Sequence, residues 1–518
     1  VASGAEAVFA MGAAALEAND LPRAEQLFRS IVERDPRVHP AWNALSVVAV
    51  RAGSPEVAAE HARRALELDR RNPVYLNNLG VAYGELGEFA QAEEALRRAL
   101  KAKPVYAEGQ FNLGKVLHKR DDLKGALRAY QRAYAMDARF PGLALALAYM
   151  HLKCADAAAA RGVLDGIGTR DELASIACAE CLLEGADRGA ALAFMRDEMR
   201  AHPDWTWLRT ALGTQLLAAG DWQEGWALYL SRPFRPQSEE LRHATLDALN
   251  GKRILLQGEQ GIGDVLFFLR FAPQLAEVAA SLTLACKRKL VPLLAAGAAA
   301  SGMKVIADEA QEAGAWDVHL ALGDLPACLP AARTPPAWPV AVESSAREEW
   351  GRRLAALGPP PYLGVTWRAG TDVLRRREFG NNRNLLMKEV PAARMGAALR
   401  GWRGTVLALQ RGLRDGELAA FAAAAQAPAH DLAALGDDLP ALAAVLSLLD
   451  EYAAVSNTNI HILAGLGRTA RVLVPYPPEW RWMREGASPW FPGCGVYREP
   501  QSRGWTEPLA QLRRDLIG

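Results

Sequence analysis

Three short stretches in the second half of this 518-residue chain carry residue types that can do chemistry. The first is Gly258-Glu-Gln-Gly261-Ile-Gly263-Asp264, directly after the apolar run Lys252–Gln257. Gly261 and Gly263 let the backbone approach a ligand, and a helix starting there points its amides at it. Asp264 falls on the first turn of that helix, where a carboxylate is also favoured with no ligand at all. Glu259 lies in the same loop. The second stretch begins at Arg368, beyond the strand-like Tyr362–Trp367, and runs through Arg375, Arg376, Arg377 and Arg383. Guanidinium groups pair bidentately with phosphate oxygens; the competing reading is a solvated basic loop. The third is Ser456-Asn457-Thr458-Asn459-Ile460-His461, where a strand runs out into small polar residues. Their hydroxyls, amides and backbone N–H groups can hold a pyrophosphate, with His461 adding a hydrogen bond; ordinary helix capping with a surface histidine is the alternative.

The elements that must position these residues are legible around them. Arg232-Pro-Phe-Arg-Pro reads as a helix stop and domain boundary. Beyond it, Lys252–Gln257, Ser281–Ala285, Lys304–Ala307 and Val318–Leu322 are strand candidates with helices between. A Pro-rich linker near Thr334–Pro339 breaks the run. The grammar then restarts, with strands at Tyr362–Trp367, Thr405–Gln410, Ala429–Leu432, Tyr452–Ser456 and Arg471–Pro475. Helices are expected at Glu389–Leu399, Glu417–Ala425, Leu439–Leu449 and His461–Leu466. Alternating strands and helices imply parallel sheets covered on both faces, binding ligands at the carboxyl ends of the strands. The expectation is two Rossmann-like domains, residues 237–340 and 341–518, facing each other across a cleft.

The first 236 residues keep a beat of 34. With units starting at Ala5, His39, Pro73, Ala107 and Pro141, the eighth place holds Gly12, Ser46, Gly80 and Gly114. Ala24, Ala58, Ala92 and Ala126 occupy the twentieth place, and Phe28, Ala62, Leu96 and Tyr130 the twenty-fourth. This is the tetratricopeptide pattern of paired helices. Such units stack into a solenoid with a concave surface. The beat fades after Pro141 and returns at Thr206, giving six or seven helical pairs that end near Phe234. Asn78 and Asn112 share the sixth place of successive units, where an amide can grip an extended peptide or bond the neighbouring repeat; Ala10 and Ala44 interrupt that series.

The fold class is therefore an α-solenoid followed by α/β. The order of motifs in residues 250–500 resembles glycosyltransferases of GT-B fold, nearest to the heptosyltransferase-like family 9. The matching segments are Gly258–Arg270 and Val455–Gly467. The tail Pro477-Pro-Glu-Trp-Arg-Trp-Met with Ser488-Pro-Trp-Phe-Pro resembles members that carry tetratricopeptide repeats. Repeats ahead of such a pair also resemble the layout of O-GlcNAc transferase and bacterial protein glycosyltransferases. The resemblance implies an inverting, metal-independent transferase that moves a sugar from a nucleotide-sugar donor to a hydroxyl, on a protein or peptide recruited by the repeats. It implies Asp264 as general base with Glu259 in reserve. Gly261, Gly263, Arg368, Arg383, Ser456, Asn457, Thr458, Asn459 and His461 would hold the donor, and no cofactor is expected. The family usually has an acid where Ser456 stands, which leaves sugar-hydroxyl recognition open. In O-GlcNAc transferase an asparagine ladder grips substrates, which implies a peptide-binding role for Asn78 and Asn112.

Composition narrows the alternatives. A net charge of +1 argues against a general nucleic-acid binder. No apolar run approaches the ~20 residues that span a bilayer. The first thirty residues read as an amphipathic helix pair, so no signal peptide is expected. Six scattered cysteines fit a reduced, cytoplasmic protein, with Cys178 and Cys181 as small buried helix residues. Trp480, Trp482, Trp490 and Phe491 line a pocket or, more ordinarily, close a core. His319 and His430 are single histidines at strand ends. Two further functional classes stay open: a tetratricopeptide scaffold whose GT-B region has lost catalysis, and a nucleotide-sugar epimerase of the same fold.

Overall fold

The computed structural model describes residues 2–518 except 121, 169, 186, 233–244, 311–315, 330–333, 370–387 and 503. Among the described residues fourteen helices come first, in seven consecutive pairs: α1 Ala2–Glu17 with α2 Leu21–Arg34, α3 His39–Arg51 with α4 Pro55–Leu68, α5 Pro73–Leu86 with α6 Phe89–Ala102, and α7 Ala107–Lys119 with α8 Leu123–Met136. Then follow α9 Leu143–Lys153 with α10 Ala157–Asp165, α11 Glu172–Glu184 with α12 Arg188–Ala201, and α13 Thr206–Leu217 with α14 Trp222–Tyr229. Asp20, Asn72, Asp122, Asp156, Asp171 and Asp221 start helices by accepting a backbone N–H in the first turn. Cys178 and Cys181 are buried on α11.

The eighth and twenty-fourth places of the repeat face each other. A Cβ on Gly12 would stand 2.7 Å from the Phe28 ring, one on Gly80 2.6 Å from Leu96, and one on Gly114 2.6 Å from the Tyr130 ring. Where the eighth place is Ser46, the twenty-fourth is Ala62, and the Ser46 hydroxyl donates to the Ala58 carbonyl at 2.8 Å. Each unit thus keeps a small residue on one helix opposite whatever fills the gap on the other, which is what close-packed interiors require.

The chain divides into two compact units, residues 1–194 and 195–518. The second takes in α13 and α14 together with the sheets. The boundary expected near Phe234 runs into residues 233–244, outside the described residues. One sheet holds β1 Arg253–Gln257, β2 Ser281–Cys286, β3 Met303–Ala307 and β4 Val318–Ala321 in the order β3-β2-β1-β4, all parallel. Its helices are α15 Ile262–Phe268, α16 Ala272–Ala276, α17 Val291–Ala300 and α18 Leu325–Cys328.

After α19 Ser344–Leu357 comes a second parallel sheet. Its members are β5 Tyr362–Thr366, β8 Thr405–Ala408, β9 Ala429–Asp431, β10 Glu451–Val455, β11 Arg471–Val474 and β12 Gly495–Arg498; the short strands β6 Arg368–Ala369 and β7 Lys388–Glu389 pair antiparallel beside it. The order is β12-β11-β10-β5-β8-β9. α20 Ala392–Ala398, α21 Glu417–Ala425, α22 Leu439–Leu448, α23 Thr458–Gly465 and α24 Thr506–Ile517 complete the unit. In each sheet the strand order reverses beside the first strand, between β1 and β4 and between β5 and β10. Such reversals open a crevice at the carboxyl edge.

The sequence misplaced two features here. The helix expected from Glu389 starts only at Ala392, because Lys388–Glu389 pairs with Arg368–Ala369 and Pro391 marks the helix start. β12 was not anticipated: Gly495-Val-Tyr-Arg follows Pro492-Gly-Cys, a sequence that reads as turn.

Candidate functional site

The Gly-rich turn leaves the end of β1, and the Ser456–His461 stretch leaves the end of β10. α15 and α23 pack together at their starts. A Cβ on Gly263 would lie 3.2 Å from the His461 ring and 3.6 Å from Thr458 Oγ1, so glycine is what permits this approach. His461 meets Phe491 and Phe267 edge-on. Burial, with Arg481 and Arg270 nearby, pushes its imidazole well below the usual value. It is therefore neutral at pH 7 and offers one donor and one acceptor.

A row of alternating charges crosses this junction. Arg481 donates to Asp264 Oδ1 at 2.5 Å and to Glu479 Oε1 at 2.6 Å. Lys388 Nζ donates to Glu479 Oε2 at 2.6 Å and lies 3.5 Å from Ser456 Oγ. Ser456 Oγ donates to the same Glu479 oxygen at 3.2 Å. Arg481 is buried beneath Phe267 and Trp480, whose ring centres lie 4.6 and 4.4 Å from its guanidinium carbon. Burial opposes the charge on Glu479, but Lys388 and Arg481 outweigh it and hold the carboxyl well below its ordinary range. Among these charged side chains Asp264 is the most exposed, at 32% against 7–19% for the others. It is the more open end of the row.

The remaining expected residues are distributed as follows. Glu259 is bound by Arg232 at 2.5 Å and by Gln260 at 3.1 Å, and Arg232 also reaches Asp324 at 2.6 Å. Burial works against the Arg232 charge, but Asp324 and Glu259 overcome it. This triad lies at the reversal between β1 and β4. Arg368 donates to Glu417 and to the Gly412 carbonyl, both at 2.9 Å. Arg375, Arg376, Arg377 and Arg383 lie outside the described residues. Asn457 caps α23 through the Asn459 N–H. The side-chain amides of Asn457 and Asn459 both donate to Tyr452 Oη, at 3.0 and 2.9 Å. Burial pushes that phenol up to about 12. Trp480, Trp482, Trp490 and Phe491 are buried core, packed with Trp226, Phe267 and one another. His319 is exposed and His430 partly so. Among the described residues no group of three or more His, Cys, Asp or Glu is arranged to hold a metal ion.

In the repeats, Asn78 donates to Asn43 Oδ1 at 2.8 Å and Asn112 to Asn77 Oδ1 at 3.0 Å. Asn77 in turn donates to Glu108 at 3.2 Å and to Asn78 at 3.3 Å. Each asparagine thus commits a side-chain N–H to an adjacent repeat.

Sequence reasoning did not single out Lys388, Glu479 or Arg481. The available signal was Glu479 and Arg481 interleaved with Trp480 and Trp482 in a proline-bounded run. Charges in such company are buried or paired.

Residues 9–73 and 77–144 match the family model described as tetratricopeptide repeat. These stretches are tetratricopeptide repeats. Such arrays present extended concave surfaces to other proteins. The whole chain is similar to Protein FlbA of Caulobacter vibrioides, 25% identical over 568 residues that cover 96% of this chain and 87% of FlbA. The type IV pilus assembly protein PilF of Pseudomonas aeruginosa is 31% identical over 148 residues, 28% of this chain and 58% of that protein. The solved structure of Pseudomonas aeruginosa PilF matches with a TM-score of 0.35 at 24% identity, over 39% of this chain and 93% of that one. The crystal structure of MamA matches with a TM-score of 0.26 at 20% identity, over 35% and 96%. Among the described residues no helix is long and apolar enough to cross a membrane.

Proposed function

We propose that this tetratricopeptide repeat protein is a glycosyltransferase of GT-B type, whose repeats recruit a protein acceptor for the α/β half. One observation carries the reading. The glycine turn at the end of β1 and the polar helix start at the end of β10 meet, with Gly263 against His461. The strand reversals beside β1 and β5 support two nucleotide-type sheets whose carboxyl edges share one site. Asp264 is the base. It takes the proton of the acceptor hydroxyl as that oxygen bonds to the anomeric carbon. The bond from that carbon to the diphosphate oxygen breaks, and its electron pair leaves with the nucleoside diphosphate. The start of α23, with Ser456 and Thr458, and the Lys388 ammonium stabilise the departing charge. Lys388 and Arg368 are both already paired, with Glu479 and Glu417, and Lys388 is the one that also lies beside Ser456. Glu479, 3.2 Å from the Ser456 hydroxyl, puts a carboxylate next to the place where the resembling family carries its acid.

One observation favours a second reading, a scaffold without catalysis. Asp264, Arg368, Asn457 and Asn459 all have partners within the protein. A thermal-shift screen against nucleoside diphosphates and their sugars separates the two. A transferase gains about 2.7 kcal/mol at one hundred times Kd, with and without chelator alike. Silence across the panel establishes the scaffold. A nucleotide sugar that is isomerised without transfer establishes the epimerase.

A further inference from the structure

Arg481 is an expensive residue to bury, and its setting is more specific than core packing needs. Its side chain is 7% exposed, it lies under two aromatic rings, and among the described residues its Nε has no hydrogen-bond partner. Its guanidinium gives one terminal nitrogen to Glu479, a carboxylate it shares with Lys388. The second terminal nitrogen of Arg481 reaches Asp264, 217 residues earlier in the chain. Glu479 is fixed in turn by Lys388 and Ser456. Every joint of the row is thus held from behind, and Asp264 stands the most open. Of the two Asp264 oxygens, Oδ1 carries the bond from Arg481. Oδ2 faces the glycine turn, 3.2 Å from where a Cβ on Gly261 would be.

We propose that Arg481 is a positioning residue, which pins Asp264 through Oδ1 so that Oδ2 is presented to the acceptor hydroxyl, with Glu479 as the anchor that aims Arg481. This rests on Asp264 being the base. Arg481 touches neither donor nor acceptor; it acts through Asp264. A carboxylate on an exposed first turn otherwise samples several rotamers, and misplacing a reacting group by about 1 Å can cost ~10²-fold. The fork of the guanidinium suits the task, because two carboxylates from different segments are held at fixed angles. A lysine cannot span both.

The test is a double-mutant cycle on turnover, with a structural readout beside it. Arg481→Lys should lower kcat by about 10²-fold while KM for the nucleotide sugar stays within about twofold. In an Asp264→Asn background the same change should cost almost nothing further, because the oxygen it positions has lost its role. A purely structural Arg481 gives equal losses in both backgrounds, and that additivity overturns the proposal. Arg481→Gln removes the charge and risks the fold, so the lysine variant is the primary one. A crystal structure of Arg481→Lys reads the claim without activity. The Asp264 carboxylate should leave its place beside Gly261; if it stays, the proposal is wrong. Should wild type turn over no donor while the carboxylate moves as expected, the positioning stands and the transferase reading fails.

Discussion

The two halves of this chain build their contacts by opposite rules. In the repeats, partners are local and recur: Gly12 with Phe28, Gly80 with Leu96, Gly114 with Tyr130, each pair 16 residues apart. In the α/β half, the contacts that matter join residues with no register between them. Asp264 meets Arg481, Lys388 meets Glu479, and Gly263 meets His461. The first kind of contact announces itself in sequence and tolerates exchange between units. The second needs the fold completed before either partner has meaning, and it is confined to the end of the molecule where chemistry is proposed.

The largest effect separating these two kinds is expected at Asp264. Asp264→Asn should lower transfer by about 10²–10⁴-fold, since the amide cannot take a proton. Circular dichroism and donor binding should stay as in wild type. Near-normal turnover would reduce the carboxylate to a helix-start residue, for which the loss is typically 0.3–1 kcal/mol of stability.

Next comes the centre of the row. The folded carboxyl of Glu479 is held below its unfolded value of about 4.3. Its contribution is therefore complete above that pH and is lost as pH falls through the folded value. Glu479→Gln should cost about 3–5 kcal/mol at pH 7, because Arg481 and Lys388 lose a buried partner. The gap in melting temperature between wild type and variant should narrow steadily below pH 4. A gap that stays constant down to pH 3 would mean that Glu479 is not charged in the folded protein.

The smallest effect sharpens the repeat side. Gly114→Ala drives a Cβ to 2.6 Å from the Tyr130 ring and should cost about 1–3 kcal/mol by overpacking. Pairing it with Tyr130→Ala copies the arrangement of Ser46 and Ala62. The double variant should lose less than the sum of the two single changes, measured by urea unfolding. Strict additivity would show that the two places do not communicate.

Much of the fold was legible. The 34-residue beat placed the helices through α8, because each unit repeats the same steric demand. Strands β1 to β4, β5 and β8 to β11 announced themselves as apolar runs between Gly and Pro. β12 did not, since four residues after Pro492-Gly-Cys look like turn, and only the neighbouring β11 makes them a strand. Within the candidate site, Asp264, Ser456, Thr458 and His461 could be picked out because glycine turns and polar helix starts are local signatures. The partners of Asp264 and Ser456 could not. Nothing near Glu479 or Arg481 in the chain points to residues 264, 388 or 456. The amides of Asn457 and Asn459 looked free in sequence, while Tyr452, five and seven residues earlier, already holds them.

The seventh helical pair has a consequence for how such a chain can be cut or lengthened. Arg232, just beyond α14, fills the space between Glu259 and Asp324, while Trp226 sits among Phe268, Phe271 and Trp480. A recombinant fragment begun after the proline-rich stop would strip away that arginine, stranding two carboxylates beside an opened aromatic nest. Repeats can be added or removed without disturbing these contacts only upstream of this pair. The last pair belongs to the same compact unit as the sheets, as the keystone rather than as one more brick.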